Sequence, residues 1–326
     1  MASEKLFRDI APFPDDITTA SMPTISLANL HSGHEATAKS LLAACQELGF
    51  FFLDLQGDEL GETLVDEIDQ LFALNKDLLN LPDDVKNQYL HDIPKSFLGT
   101  EKNEPDRYES FNIGQDGLMG NTPLQPLPPS LQPSLPLIKS FLKHGQSIVA
   151  TISSILASQI GLPPETFTSL QVPTKPSGTV IRFLKTFASP AEEDLRTSLI
   201  HHSDFGTITL LANVLGGLQL LAPGKDPADE SAWLWVKPRP GCLIVNIGDA
   251  MAQWTGGLLR SSLHRIRHAP GQQRFSDRYS LALLTRPERD ASMKRLVGGD
   301  QDDENANLTA WEWEVKKAMA MKRGTE

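Results

Sequence analysis

The sequence contains few cysteines, and this scarcity excludes several small-protein architectures. Its 326 residues include two, Cys45 and Cys242. They are too few and too far apart for a disulfide framework or a zinc knuckle, and such sparse use is typical of proteins from a reducing compartment. Each cysteine is expected to be a small core residue.

Long basic runs and long apolar runs are also missing. The 30 Lys and Arg residues against 41 Asp and Glu residues give a net charge of −11, and no basic block is present that would neutralise a series of phosphates. The N-terminus lacks the apolar core of a secretory signal, and the longest apolar-rich stretch, at 147–160, is interrupted by Ser, Thr and Gln. We therefore expect a cytoplasmic protein that binds neither nucleic acid nor a membrane.

What is present is the composition of an ordinary globular protein. Apolar residues make up 40% of the chain and charged residues 22%. The chain is long enough to bury a sizeable core without disulfides or a structural metal. At roughly 150 residues per domain, its length corresponds to about two structural units, or to one enzyme-sized domain with appendages.

The first half of the chain favours helices. Apolar residues recur at helical spacing over three long stretches, which two short strands accompany. The first 20 residues are predicted to be an irregular arm, and the Pro-rich segment 121–136 an irregular loop. The predicted helices lie at 34–48, 60–79 and 137–160, and the predicted strands at 24–27 and 50–53.

After about residue 170 the pattern changes to short β-rich runs separated by Gly and Pro, which is typical of a sandwich or barrel. A charged loop at 290–307 and a helix at 308–322 follow. We therefore predict a mainly β fold with α, in which a mostly helical region (1–170) supports an antiparallel barrel (171–290), followed by a loop and C-terminal helix (291–326). The predicted strands of the second half lie at 178–187, 200–214, 217–222, 234–236, 242–247 and 279–285.

Four of the eight histidines lie in the β-rich half, at His201, His202, His264 and His268. Because alternate residues of a strand share a face, His202 and Asp204 are expected to point into one cavity and Ser203 away from it. With one further imidazole they would form the two-His-one-carboxylate triad of non-haem Fe(II) sites. Taken alone, His-x-Asp is uninformative, because the composition predicts about one such match by chance.

The order of six sequence blocks is informative where a single triplet is not. The blocks are HSDFGTITLL at 202–211, GGLQ at 216–219, PGCLIVNIGD at 240–249, WTGG at 254–257, SLHR at 262–265 and RYS at 278–280. Together they resemble the signature of the isopenicillin N synthase-like branch of the Fe(II)/2-oxoglutarate-dependent dioxygenases. A weaker resemblance extends upstream, so that nearly the whole chain is covered. The upstream matches are Ile25 with Leu27, ELGFF at 47–51, Leu81 and Pro82 with Lys86 and Tyr89, and DRYESFNIG at 106–114.

The resemblance implies a double-stranded β-helix, or jelly roll, with a helical N-terminal region. It also implies that His202, Asp204 and His264 are Fe(II) ligands and that 2-oxoglutarate and O2 are cosubstrates. His201 is the competing ligand candidate, but strand alternation places it on the opposite face from Asp204. His268 is expected to be solvated at a strand end.

Arg278 and Ser280 are two residues apart and therefore share a strand face, where a guanidinium fork and a hydroxyl can hold a carboxylate. In the family that the chain resembles, this pair binds the distal carboxylate of 2-oxoglutarate. Some members instead use the pair to grip a substrate carboxylate and need no 2-oxoglutarate.

The sequence departs from the family at one point. Many relatives carry Asn-x-Tyr on the strand before the His-x-Asp triplet, whereas the corresponding run is RFLKTF at 182–187. Thr186 could supply a hydroxyl in place of the missing Tyr. Arg182, Arg107 and Lys185 are candidates for lining a substrate pocket, with a solvated or structural role as the alternative for each.

The resemblance implies an Fe(II)- and 2-oxoglutarate-dependent oxygenase that oxidises a small organic substrate and releases succinate and CO2. Hydroxylation is the default outcome, and desaturation, ring closure or ring expansion are its variants. Similarity to fungal members suggests secondary-metabolite biosynthesis. Two alternatives stay open: a zinc-dependent hydrolase with the same three ligands, in which Arg278 and Ser280 would lack a purpose, and a non-catalytic ligand-binding barrel.

Overall fold

The computed structural model describes residues 2–90, 98–103, 107–195, 197–298 and 303–323. The helices are α1 (Ala2–Phe7), α2 (Leu27–His31), α3 (Glu35–Glu47), α4 (Glu59–Leu79), α5 (Asp83–Lys86), α6 (Gln115–Met119), α7 (Leu135–Gln159), α8 (Asp249–Trp254) and α9 (Ala310–Arg323). The strands are β1 (Thr24–Ser26), β2 (Phe50–Asp54), β3 (Gly99–Asn103), β4 (Tyr108–Gly114), β5 (Val180–Thr186), β6 (Thr197–His202), β7 (Ile208–Asn213), β8 (Leu218–Leu221), β9 (Trp233–Trp235), β10 (Cys242–Ile247), β11 (His264–Arg267) and β12 (Arg278–Leu284).

The strands form two sheets that face each other as a jelly roll. The larger sheet has eight strands in the order β1-β2-β10-β7-β12-β5-β4-β3, and the smaller has the order β6-β11-β8-β9. Neighbouring strands run antiparallel, except for the parallel pair β1–β2. Apolar side chains of both sheets meet between them. These side chains are Phe50, Phe52, Leu218, Leu220, Ile244 and Ile266. The predicted double-stranded β-helix is thus confirmed.

The other face of the larger sheet is covered by helices, chiefly α4 and α7. Gly145 lets α7 lie against β12, because a Cβ there would come within 2.5 Å of a methyl group of Leu283. On α4, the amide of Asn75 donates to the carbonyl of Ser280 at 2.9 Å. The helices therefore support the strand that carries Arg278 and Ser280, because they fix its outer face.

The helices predicted at 34–48, 60–79 and 137–160 are confirmed to within two residues, as α3, α4 and α7. The predicted strands are also confirmed, with one division: the run 200–214 contains the end of β6 and all of β7, separated by a turn. Parts of two predicted features fall outside the described residues, namely Asp106, which opens the upstream motif at 106–114, and residues 299–302 and 324–326 of the predicted C-terminal loop and helix.

Two strands lie where the sequence favoured helices. In β4, Glu109 bonds to Lys86 on the helical side, whereas Asn112 contacts Arg182 on the side of the cavity. The strand is buried on both faces, so it lacks the alternation of buried and exposed residues that reveals a half-buried strand. β3 and β4 extend the larger sheet beyond β5, and the division of the chain at 170 stays a prediction.

Two segments that we expected to be irregular form helical turns. The arm begins with α1, whose Leu6 and Phe7 pack against the main core. The Pro-rich segment contains a 3-10 helix, Pro129–Ser134. A proline costs little at the start of such a turn, because the first N–H groups of a helix have no partner within it.

Neither cysteine forms a disulfide. Cys45 is fully buried, and burial raises the pKa of its thiol well above the ordinary range, whereas Cys242 is partly buried. Both therefore fit the expected role of small packing residues. Among the described residues, none of the helices has the length and apolar content needed to cross a bilayer.

Candidate active site

Two neighbouring strands of the smaller sheet bring the predicted ligand residues together. β6 and β11 run antiparallel, and His202 pairs directly with His264, with ring centroids 4.4 Å apart. Asp204 follows β6 in the turn that leads to β7. One ligand atom from each of the three side chains lies within 4.8 Å of the others, which is the spacing of a metal site.

Backbone carbonyls orient both imidazoles. The Nδ1–H of His202 donates to the carbonyl of Ile200 at 2.9 Å, and the Nδ1–H of His264 donates to that of Ser262 at 3.2 Å. These contacts assign the proton to Nδ1 and leave the Nε2 lone pair for a ligand. Each Nε2 lies 4.0 Å from Oδ1 of Asp204, so three potential metal-binding atoms converge.

The second oxygen of Asp204 is held away from that centre. Its Oδ2 accepts hydrogen bonds from the Thr209 hydroxyl at 2.7 Å and from the Asn246 amide at 2.8 Å. Burial by itself would raise the pKa of Asp204, but the two neighbouring imidazoles and these two hydrogen bonds outweigh it and lower the pKa to about 2. The carboxylate is therefore ionised at neutral pH, with Oδ1 directed at the imidazoles.

Burial also sets the protonation state of His202. Burial is the main cause that lowers the pKa of His202 to about 4, and the proximity of His264 is the second. At neutral pH the ring is uncharged. A neutral imidazole beside an ionised carboxylate is the combination that binds a divalent transition metal without first releasing a proton.

Two glycines allow the turn around Asp204 to pack closely. A Cβ on Gly206 would lie 2.0 Å from the carbonyl oxygen of Thr285, and a Cβ on Gly248 would lie 2.2 Å from that of Gly206. Ser203 points away from the imidazoles, as expected, and its hydroxyl donates to Asp249. Asp204 itself lies two residues beyond the end of β6, so the turn, and not strand alternation, aims its carboxylate.

The two remaining histidines of this half lie outside the cluster. His201 is exposed and lies against the ring of Trp233, with centroids 6.0 Å apart. His268 directly follows β11, at the strand end as expected, and is partly rather than fully exposed beside Trp235.

Arg278 is a buried cation with no counter-ion among the described residues. It is 2% exposed; its Nε donates to the Gly216 carbonyl at 2.9 Å, and its Nη1 lies 3.4 Å from the Ser280 hydroxyl. Within the described part of the chain, its Nη2 has no hydrogen-bond partner. Burial lowers the pKa of the guanidinium to about 10, so it is still charged at neutral pH. A buried, uncompensated charge of this kind is costly, and an incoming carboxylate would satisfy it.

A cavity of about 580 Å³ connects this cation with the His/Asp cluster. Arg278 and Ser280 lie on β12, and apolar side chains form the cavity walls between them and Asp204. Such walls exclude water and strengthen the electrostatic interactions inside. The apolar lining residues are Phe50, Leu184, Leu211, Leu218, Ile266, Ala282 and Leu284.

The candidate replacement for the family's Tyr hydroxyl, Thr186, and the three candidate pocket residues differ in position. Thr186 pairs across strands with Arg278, and its buried hydroxyl has no partner in the described residues. Arg182 lines the cavity. Arg107 and Lys185 have structural contacts instead, because Arg107 pairs with Asp194 at 2.7 Å and Lys185 pairs with Asp277 at 3.1 Å.

Sequence reasoning missed three polar residues of the site. Thr209 and Asn246 lie inside the blocks that resemble the dioxygenase family, but spacing alone does not show that they meet at Asp204. Asn112, which contacts Arg182, lies on the strand β4 that was not predicted. The run at 108–114 is buried throughout, so no alternation of buried and exposed residues marked this contact.

The chain is similar to known oxygenases in sequence. Residues 177–287 match the family model of the 2OG-Fe(II) oxygenase superfamily, and residues 22–132 match that of the non-haem dioxygenase in morphine synthesis N-terminal region. A 2-oxoglutarate-dependent dioxygenase of Aspergillus fumigatus is 31% identical over 88% of this chain and 80% of its own length. Another, from a Dothideomycetidae species, is 28% identical over 95% of this chain and 93% of its own.

Solved structures show the same fold. A full-length Neurospora crassa protein, solved in complex with alpha-KG and 5-formyluracil, superposes with a TM-score of 0.78 at 21% identity, over 95% of this chain and 98% of that one. The rice dioxygenase for auxin oxidation superposes with a TM-score of 0.67 at 22% identity, over 93% of this chain and 96% of that one.

Proposed function

The chain belongs to the 2OG-Fe(II) oxygenase superfamily, and on this premise we propose that His202, Asp204 and His264 hold its Fe(II). The protein is a non-haem Fe(II)- and 2-oxoglutarate-dependent dioxygenase, an oxidoreductase that uses 2-oxoglutarate and O2 as cosubstrates. The observation that carries the ligand assignment is the convergence of two Nε2 atoms on Oδ1 of Asp204. Two imidazoles and one carboxylate suit non-haem Fe(II) and leave three positions open.

We assign the distal carboxylate of 2-oxoglutarate to Arg278 and Ser280. The Nη2 of Arg278, which lacks a partner in the described residues, supports this, because a carboxylate would complete the guanidinium fork and remove an uncompensated buried charge. The hydroxyl of Thr186, also without a partner in the described residues and across the strand pair from Arg278, is our candidate to replace the family's Tyr hydroxyl.

Bound Fe(II), 2-oxoglutarate and O2 supply the oxidising chemistry, with succinate and CO2 as the products of the cosubstrate. The residues of the chain bind and orient these groups, and they exclude water from the cavity. The carbonyls of Ile200 and Ser262 fix the two imidazoles, and Thr209 and Asn246 fix the carboxylate. The apolar walls between Arg278 and the cluster keep solvent away from reactive species.

The substrate is a small organic molecule, and we infer that its oxidation belongs to secondary-metabolite biosynthesis, in line with the similarity to fungal dioxygenases. Hydroxylation is the default outcome, with desaturation, ring closure or ring expansion where the substrate offers a faster route. A zinc hydrolase would leave Arg278 uncompensated, and a non-catalytic barrel would not need three convergent ligand atoms. Both alternatives are disfavoured.

The ligand assignment is tested with two adjacent histidines. His202→Ala should abolish Mn(II) binding and Fe(II)-dependent, O2-dependent conversion of 2-oxoglutarate to succinate. His201→Ala, which removes an exposed imidazole of the same strand, should retain both. Calorimetry measures Mn(II) binding, and a succinate assay measures the turnover of 2-oxoglutarate. Retention of tight metal binding in His202→Ala would contradict the ligand assignment.

The cosubstrate assignment is tested at Arg278. Arg278→Met keeps the length and apolar packing of the side chain but removes the charge, and it should weaken 2-oxoglutarate binding roughly tenfold to hundredfold, because hydrogen bonds to a buried charge are among the strongest. Mn(II) affinity should change little, since the contacts of Arg278 run to Gly216 and Ser280 and not to the ligand residues. Unchanged 2-oxoglutarate affinity in this variant would overturn the assignment.

A further inference from the structure

A second cation lies in the active-site cavity. Arg182 lies on β5, where it pairs on one side with Asn112 of β4 and on the other with Ala282 of β12. Directly paired residues point to the same face of a sheet, so these three side chains share the face that lines the cavity. The small side chain of Ala282 leaves space beside the guanidinium.

Arg182 is oriented but not neutralised. Its Nε donates to Oδ1 of Asn112 at 2.9 Å, and this is its one polar partner within the described residues. The amide fixes the plane of the guanidinium and leaves the two Nη groups for another acceptor. Burial lowers the pKa of this guanidinium, although the charges of Glu101 and Asp204 partly offset the effect.

The two acids whose charges act on Arg182 are hydrogen-bonded to other residues. Glu101 accepts a hydrogen bond from the hydroxyl of Tyr108 at 3.0 Å, and Asp204 is bonded by Thr209 and Asn246 and faces the two imidazoles. Neither acid forms an ion pair with Arg182 within the described residues. The guanidinium fork is therefore available to an anion that enters the cavity.

Arg182 is separate from the cation assigned to the cosubstrate. Arg278 pairs with Thr186, which lies four residues along β5 from Arg182, a separation of roughly 13 Å at 3.3 Å per residue. The distal carboxylate of 2-oxoglutarate cannot bind both guanidinium groups side by side. Its keto-acid end is directed, by our proposed function, at the metal ligands, so Arg182 is left for a different oxyanion.

We propose that Arg182 binds a carboxylate of the organic substrate, so that the enzyme acts on small, mostly apolar carboxylic acids. This inference rests on the proposed function, because it treats Arg278 as the cosubstrate site. Apolar side chains such as Leu184 and Leu211 form the walls beside Arg182 and suit an apolar body. The guanidinium held by Asn112 suits a carboxylate at one end of such a substrate, because a preoriented fork forms two parallel charge-assisted hydrogen bonds.

The test compares acids with amides of the same carbon skeleton. Enzyme loaded with Mn(II) and saturating 2-oxoglutarate is titrated calorimetrically with benzoate, phenylacetate and 3-phenylpropanoate, and with the corresponding amides. At least one acid should bind roughly tenfold or more tightly than its amide, because charge-assisted bonds are about twice as strong as neutral ones. Arg182→Gln should abolish this preference and Arg182→Lys should retain part of it. Equal binding across all three pairs, or no binding of any acid, overturns the proposal.

Lys185 offers a matched control. It is a buried cation on the same strand, but it points to the opposite face, where its Nζ lies 2.8 Å from Oδ1 of Asn80 and 3.1 Å from Asp277. Lys185→Gln should therefore keep the preference for acids. An equal loss in this variant would show that the preference follows the overall charge and not the cavity cation, which overturns the proposal.

A second readout separates substrate from cosubstrate. Arg182→Gln should bind Mn(II) and 2-oxoglutarate as tightly as the wild type. A loss of 2-oxoglutarate affinity would assign Arg182 to the cosubstrate and overturn this inference, while leaving the metal-ligand assignment intact. Failure of the wild type to bind Mn(II) would instead overturn the proposed function.

Discussion

The hydroxyl of Thr209 offers a sharp test of how the site is organised. It donates to Oδ2 of Asp204 at 2.7 Å, and Thr209 is 6% exposed. Thr209→Val replaces the hydroxyl by a methyl group of similar size, so the packing of β7 is largely kept. The change leaves one lone pair of Asp204 without its donor, while Asn246 still holds the same oxygen.

The expected loss follows from the charge on Asp204. A hydrogen bond to an ionised group contributes about 1.5–3 kcal/mol, and removal of such outer partners of a metal ligand reduces metal affinity by roughly 10–100-fold. Without the donor, the pKa of Asp204 should also rise from its value of about 2, but not enough to protonate the carboxylate at neutral pH. The loss is therefore one of orientation and charge stabilisation, and not of ionisation.

Mn(II) titration by calorimetry, with thermal unfolding of the metal-free protein, measures the effect. The control is Thr255→Val, since the hydroxyl of Thr255 is also buried and donates to the Met251 carbonyl at 2.7 Å, outside the site. It should lower stability but leave Mn(II) affinity unchanged. If Thr209→Val binds Mn(II) as tightly as the wild type, the hydrogen bond does not position Asp204 and the reasoning is wrong.

Two further predictions concern stability. Burial lowers the pKa of His202 from 6.5 to about 4, so on acidification the unfolded chain takes up a proton before the native protein does. The free energy of unfolding of the metal-free protein should therefore fall by roughly 3 kcal/mol between about pH 6.5 and pH 4 because of this group. Thermal unfolding of the metal-free wild type and of His202→Gln would show a shallower decline in the variant; equal declines would contradict the pKa. Gly206→Ala should destabilise the protein by at least about 2 kcal/mol and weaken Mn(II) binding, because the new methyl group would clash with the Thr285 carbonyl. A variant with the unfolding temperature and the Mn(II) affinity of the wild type would refute this.

Much of the fold was predictable because periodicity is a local property. The helices α3, α4 and α7 were located to within two residues, since each has a buried stripe at helical spacing. β4 was missed because both of its faces are buried, one by helices and one by the cavity. Its burial depends on partners far away in the chain, which no local pattern records.

The candidate site divides in the same way. His202, Asp204, His264, Arg278 and Ser280 were named from motif order, and the structure brings the first three together and places the other two in the same cavity. Their environment was not predictable. Strand alternation puts Arg182 and Lys185 on opposite faces, but which of them faces the cavity, and that Arg278 has no counter-ion within the described residues, depends on the packing of distant segments.

The sequence by itself determined which functional side chains this protein has: which can bind a metal, which can bind a carboxylate, and in what order they occur along the chain. The tertiary structure decided their charge states and directions. Burial makes His202 neutral and leaves Arg278 as an uncompensated cation among the described residues, and Asn112, Thr209 and Asn246 orient the functional groups. Burial and hydrogen bonding arise when distant segments pack together, so the sequence of any one segment does not specify them.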